Sequence, residues 1–165
     1  MEELPYQLYH AEKWDELHEC ISTLGYMSRQ FTTNNIHEFI LYWRTLKQAD
    51  ASKYKISQAY IEQIMGSMAE KAEMAVMLQW AYWQMFRNDV IRLTNICISY
   101  LNDLDAAYEL VEFLIRMCDQ MADGDTSEER CSFHNLAGMI CIRKKEYIQA
   151  LKEYREGLSL AVHAY

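Results

Sequence analysis

Glycine, proline and valine are nearly missing from this chain, and that shortage limits its possible folds more than any other feature. Of 165 residues, five are glycine (Gly25, Gly66, Gly124, Gly138, Gly157), one is Pro5, and four are valine (Val76, Val90, Val111, Val162). An average soluble chain of this size carries about twenty glycines and prolines together. Too few turn-formers remain to close hairpins, and too few β-branched residues to fill pleated strands. Sandwiches, barrels and parallel α/β sheets are therefore disfavoured, and with 51% hydrophobic and 24% charged residues the balance is that of a packed chain. The length suits one domain with a sizeable core. The expectation is an all-α fold.

The net charge of −8 is unevenly spread. Residues 1–20 carry six acids and one base, and residues 101–130 nine acids and two bases. Residues 21–60 reverse this with five bases against two acids, as do residues 131–165 with five against three. No basic stripe suited to phosphates appears, so neither nucleic acid nor an anionic membrane is an expected partner. The cysteines, Cys20, Cys97, Cys118, Cys131 and Cys141, are odd in number and follow no signal peptide. Reduced thiols and a cytoplasmic setting are expected. The most apolar run, Met74 to Phe86, is interrupted by Gln79 and Gln84 and is too short to span a bilayer, so it reads as a buried helix.

Helical periodicity is nearly continuous. It places helices over Leu4–Lys13 and Trp14–Leu24, the second stopping at Gly25. Asn34 or Asn35 can cap a helix to Gln48 that lines up Ile36, Phe39, Ile40 and Trp43. Asp50 or Ser52 can cap the next, through Ile56, Tyr60, Ile61 and Ile64 to Gly66. A long helix follows over Ser67–Arg87, and Asn88-Asp89 supplies a break before Val90–Tyr100. Asp103 or Asp105 opens a helix to Met121, and Ala122–Thr126 is the clearest loop. Thr126 with Glu129 makes a capping box for Ser127–Arg143, and Glu146–His163 completes the last pair.

An offset of 43 residues places Arg92 over Asn135, Leu93 over Leu136, Ile96 over Met139, Leu104 over Tyr147, Ala107 over Ala150 and Ile115 over Leu158. Two helices per period of this size indicate a helical solenoid. Asn135-Leu136-Ala137-Gly138, followed by Tyr147, Ala150-Leu151, Tyr154 and Gly157-Leu158, resembles a tetratricopeptide repeat (TPR). Gly138 and Ala150 are small where two antiparallel helices would cross, while Tyr147, Tyr154 and Leu158 would fill the gap and reach the next repeat. Gly157 stands where that family usually has alanine. The long period resembles the repeats of kinesin light chains, in which an asparagine before Leu-Ala lines a peptide groove; Asn135 holds that place and Arg92 the corresponding one.

Further upstream, Glu3-Leu4-Pro5-Tyr6-Gln7-Leu8, Trp14-Asp15-Glu16-Leu17 and Leu41-Tyr42-Trp43-Arg44-Thr45-Leu46 resemble the segment opening the TPR array of nephrocystin-type proteins. Those are multidomain signalling ATPases of the STAND class, and bacterial members resembling them are antiviral sensors whose repeats recognise the trigger. The resemblance implies an all-α, TPR-like right-handed superhelix (an α-α solenoid) of antiparallel helix pairs in one domain. Residues 1–66 would form degenerate pairs, 67–126 a middle repeat and 127–165 the best-matching one. No GxxxxGK[ST] is present. The reading is an excised array or a stand-alone relative, and the open faces of Leu158, Leu160, Ala161 and Val162 favour excision and offer a route to a homo-oligomer through an uncapped last helix.

Chemistry-bearing residues are sparse. Cys131, His134 and Cys141 share one helix, but His134 and Cys141 are seven residues apart, unlike known zinc-ligand pairs, and the expectation is apolar core thiols. A di-iron site has only Asp15-x-x-His18 as its nearest match. No nucleophile–base motif is legible, so no enzyme, cofactor or metal is expected. Met74, Met77, Trp80, Tyr82, Trp83, Met85 and Phe86 read as a helix buried all round, with a Met- and aromatic-rich docking groove as the alternative. Arg143-Lys144-Lys145 reads as a helix end satisfying its dipole. In a TPR the first helix of each pair lines the concave surface, which here would present Ser132, Asn135, Met139 and Arg143, and before them Asp89, Arg92, Ile96, Ser99 and Tyr100. The expected function is a non-catalytic module binding a protein or peptide, the sensor or scaffold part of a STAND-type ATPase. The alternatives are a stand-alone regulator taking a short peptide or small molecule in the groove, and a helical enzyme or metalloprotein.

Overall fold

The computed structural model describes residues 3–33, 35–69, 76–120 and 126–163. Among them every regular element is helical and no strand occurs. The helices are α1 (Glu3–His10), α2 (Trp14–Ile21), α3 (Leu24–Thr33), α4 (Ile36–Asp50), α5 (Ile56–Ala69), α6 (Val76–Ile96), α7 (Leu104–Gln120), α8 (Ser127–Lys144) and α9 (Tyr147–His163). A π-helical turn, Cys97–Leu101, extends α6. The chain divides into two compact units, Met1–Asp89 and Val90–Tyr165.

In the first unit, α2 packs on α1, α3 and α4, and α3 on α4 and α5. Leu17, Ile21, Met27, Phe39, Trp43, Leu46, Tyr60 and Ile64 are fully buried there. Side chains of this kind contribute roughly 1.5–3 kcal/mol each when removed from water. The ring centroids of Phe39, Trp43 and Tyr60 lie 5.8–6.5 Å apart, and the Tyr60 hydroxyl donates to the Ile21 carbonyl at 2.6 Å, joining α5 to the end of α2. The Tyr54 hydroxyl donates to Asp15, whose carboxylate also meets Lys53 Nζ at 2.6 Å. Lys53, then Tyr54, hold that carboxyl below the usual range.

Three helix boundaries differ from the sequence-based expectation. Gly25 does not stop a helix but lies in the first turn of α3, because Thr23 Oγ1 accepts the Tyr26 N–H at 3.2 Å and caps that turn. Buried Met27 and Phe31, four residues apart, then hold α3 against the core. Gly66 does not end α5, which continues to Ala69; no described glycine has positive φ, so none adopts the left-handed stop. Asn88-Asp89 does not break α6. Asp89 instead accepts the Ser28 hydroxyl at 2.7 Å, while Phe86, Val90, Leu93 and Cys97 keep one buried stripe running through the pair.

The expected caps divide. Asp103 Oδ1 accepts the Ala106 N–H at 3.1 Å and starts α7. Asp50 Oδ1 accepts the N–H groups of Ser52 and Lys53 and so shapes the turn before α5. Asn35 sits at the N-cap of α4 but gives its amide to Glu38, and Thr126 sits at that of α8 but turns its hydroxyl to the Cys118 carbonyl, so neither closes a side-chain cap. Asn34 and residues 121–125, with most of the expected loop, lie outside the described residues.

In the second unit, α8 packs on α9 and α7, and the π turn on α7. Leu93, Ala107, Leu110, Val111, Leu114, Ala137, Ile140 and Cys141 are fully buried. The π turn ends at Asn102 and α8 ends at Lys145, both left-handed (φ 48° and 65°) and 43 residues apart. The helices that follow, α7 and α9, start 43 residues apart and are each 17 residues long. Lys145 donates its N–H to Ile142, and Glu146 to Cys141 at 2.9 Å, closing a two-residue connection that turns α9 back antiparallel along α8. Lysine in this conformation carries a Cβ penalty that glycine avoids. Lys145→Gly is expected to stabilise the second unit by about 0.5–1 kcal/mol in urea unfolding.

All five cysteines are free thiols; Cys97, Cys118 and Cys141 are buried, and Cys20 and Cys131 partly exposed. Burial pushes the Cys141 thiol above its ordinary pKa, with the Glu146 and Glu153 carboxylates adding to the shift. Brief iodoacetamide treatment of the native protein should therefore label Cys20 and Cys131 first. Mass spectrometry finding Cys97, Cys118 or Cys141 modified equally fast would contradict this packing.

Candidate functional site

The exposed face of α8 carries four of the expected ligand contacts. Ser132, Asn135, Met139 and Arg143 recur every three or four residues and are all exposed. Only local bonds hold them: Ser132 donates to the Glu128 carbonyl at 3.0 Å, and Asn135 Nδ2 to Cys131 Sγ at 3.7 Å. Arg92 on α6 and Ser99 and Tyr100 on the π turn are exposed as well. Two neighbours leave this set. Ile96 is 4% exposed and belongs to the core, and Asp89 is engaged by Ser28. The π turn packs on α7, and α8 packs on α7 and α9.

Small residues set the approach of α8 to α9. A Cβ on Gly138 would lie 2.8–3.0 Å from the Tyr154 ring, and one on Gly157 3.3 Å from Asn135 Oδ1. Ala150 is buried beside them. The expectation that Tyr147, Tyr154 and Leu158 fill a gap holds for Tyr154 alone, since Tyr147 and Leu158 are 66% and 65% exposed. With Ile148, Leu151 and Val162 they form an apolar row along α9. Exposed apolar patches mark interaction sites when they reach roughly several hundred Å². At the end of α8, Lys144 bonds Asp105 at 2.8 Å and Glu146 at 3.1 Å, while Arg143 points to solvent. Of the Met- and aromatic-rich run, Trp83 and Phe86 are buried and Met85 is exposed; Met74 and the side chains of Met77, Trp80 and Tyr82 lie outside the described residues.

A polar cluster joins α7, α8 and α9. Glu153, 7% exposed, accepts three hydrogen bonds: Tyr108 Oη at 2.9 Å and Gln149 Nε2 at 2.6 Å on Oε1, and His134 Nδ1 at 2.9 Å on Oε2. Gln149 also donates to Tyr108 Oη at 3.0 Å. Burial alone would raise the carboxyl's pKa, but the bonds from His134, Tyr108 and Gln149 outweigh it and hold the group below its ordinary value. Tyr108 is pushed well up, by burial and then by its bond to Glu153. Beside the cluster lies a cavity of about 210 Å³ lined by Glu112, Ile115, Arg116, His134 and Glu153.

His134 was legible only as part of a zinc reading, and Tyr108, Gln149 and Glu153 were missed. One signal was available: Glu153 falls on the α9 face that buries Ala150 and Gly157, and a carboxylate there requires donors. Among the described residues no group of three or more His, Cys, Asp or Glu side chains is placed to hold a metal ion. No described helix is long and apolar enough to cross a membrane. In the first unit, a shallower groove of about 440 Å³ runs between α2 and α5, with His18, Glu19, Glu62 and Gln63 among its walls. Burial lowers the His18 pKa, against the pull of Asp15.

Comparison of the chain with family models, with curated proteins and with solved structures gives no match.

Proposed function

We propose that this chain is a non-catalytic, TPR-like helical-repeat module that binds a protein or peptide, serving as the sensor or scaffold part of a larger STAND-type signalling ATPase. The apolar row on α9 carries the binding reading: five large hydrophobic side chains lie more than half exposed on one helix face. The solenoid reading draws support from the 43-residue spacing of the left-handed stops and of the helices that follow them. The crossing at Gly138, Ala150 and Tyr154 has the small-against-large packing that paired repeat helices use. The STAND connection rests on sequence resemblance alone.

The peptide-facing surface would be the α8 stripe of Ser132, Asn135, Met139 and Arg143 with Arg92, Ser99 and Tyr100. The α9 row would pack against a neighbouring helix or a second copy of the chain. Sedimentation velocity tests the second part. The wild-type chain is expected to associate as its concentration rises from micromolar to hundreds of micromolar, and Leu151→Lys with Leu158→Lys to remain monomeric. A wild-type chain that stays monomeric throughout would refute self-association through α9.

A further inference from the structure

Three polar groups at the cavity between α7, α8 and α9 have no partner among the described residues. Glu153 is saturated by Tyr108, Gln149 and His134. Because that carboxylate accepts from Nδ1, the neutral imidazole keeps its proton there, which leaves Nε2 as an acceptor with nothing bonded to it. Glu112 and Arg116, which complete the polar lining, form no ion pair with each other or with another described residue, although they stand one turn apart on α7. The lining thus offers a guanidinium, a carboxylate and an imidazole acceptor, with Ile115 as an apolar wall.

We propose that this cavity binds a small zwitterion of the α-amino-acid class, its carboxylate on Arg116 and its ammonium between Glu112 and His134 Nε2. A simple anion would gain Arg116 but face the carboxylates of Glu112 and Glu153. A simple cation would gain Glu112 and the imidazole but face Arg116. A ligand carrying both charges close together satisfies all three free groups. The volume of about 210 Å³ lies below the roughly 300–1,000 Å³ of drug-sized ligand pockets, which restricts the class to small members. The triply bonded Glu153 holds the His134 ring with Nδ1 turned to the carboxylate and Nε2 turned away from it. This inference does not depend on the partner-binding reading.

The test is an NMR titration of the ¹⁵N-labelled full chain with L-alanine and L-leucine, with acetate and methylammonium as single-charge controls. The expected result is saturable shifts around Ile115, Arg116 and His134, half-complete below about 10 mM for at least one amino acid, and at least tenfold weaker binding of both controls. Arg116→Ala and Glu112→Gln change exposed side chains without described partners, so each should keep the wild-type melting temperature and lose at least tenfold in affinity. No saturable shift with either amino acid at 50 mM would overturn the proposal. So would a control binding as tightly as the amino acids, or variants that fold normally and bind unchanged.

Discussion

Replacing Glu153 by alanine is expected to destabilise the second unit by about 3–5 kcal/mol, the cost of breaking a buried charged network by removing one partner. The side chain accepts from Tyr108, Gln149 and His134, which belong to three helices, and the substitution leaves Tyr108 and His134 without this acceptor and Gln149 with Tyr108 Oη alone. Urea unfolding followed by circular dichroism checks this, and a loss below 1 kcal/mol would contradict the account. The same group predicts a pH dependence. Its folded pKa lies below the ordinary value of 4.5, so its stabilisation is full above that pH and fades as pH falls through the lower folded value. Glu153→Gln should flatten that acid limb.

Gly138→Leu is expected to cost about 3 kcal/mol, at the upper end of the usual overpacking range. A Cβ at this position already meets three ring carbons of Tyr154 at 2.8–3.0 Å, so the further leucine carbons force α8 and α9 apart or expel the ring. The gain in helix propensity, about 1 kcal/mol, does not offset this. Tyr154→Ala should restore tolerance of Gly138→Leu, with a coupling of about 1–3 kcal/mol in a double-mutant cycle. Additive effects would mean that the two residues do not set the helix spacing.

The second unit was more legible in sequence than the first. Ala150, Tyr154 and Gly157 recur at helical spacing on α9, and Gly138 on α8 is small where the Tyr154 ring meets it. Their pattern is local, so it can be read without tertiary knowledge. Asn88-Asp89 reads as a break because its effect depends on a partner far along the chain, and Gly25 reads as a stop because the cap and burial beside it outweigh its local preference. Asp89 would cap a helix in isolation, but Ser28, 61 residues earlier, engages its carboxylate within α6. Gly25 would stop a helix but for the cap that Thr23 supplies and the burial of Met27 and Phe31. Nor could periodicity reveal the bonds that converge on Glu153, since Tyr108 lies 45 residues away. Among the expected contacts, exposure was foreseen for Arg92, Ser99, Tyr100, Ser132, Asn135, Met139 and Arg143, whereas Ile96 turned inward beside Leu93 and Cys97.

The exposed faces of α8 and α9 are proposed above to bind a macromolecular partner. The decisive measurement captures an interactor with the tagged chain, purifies it, and titrates it against three proteins: wild type, Arg92→Glu with Asn135→Lys, and Leu151→Lys with Leu158→Lys. At least one double variant, with wild-type circular dichroism, is expected to lose tenfold or more in affinity, equivalent to about 1.4 kcal/mol. Affinity within twofold of wild type for both would contradict it.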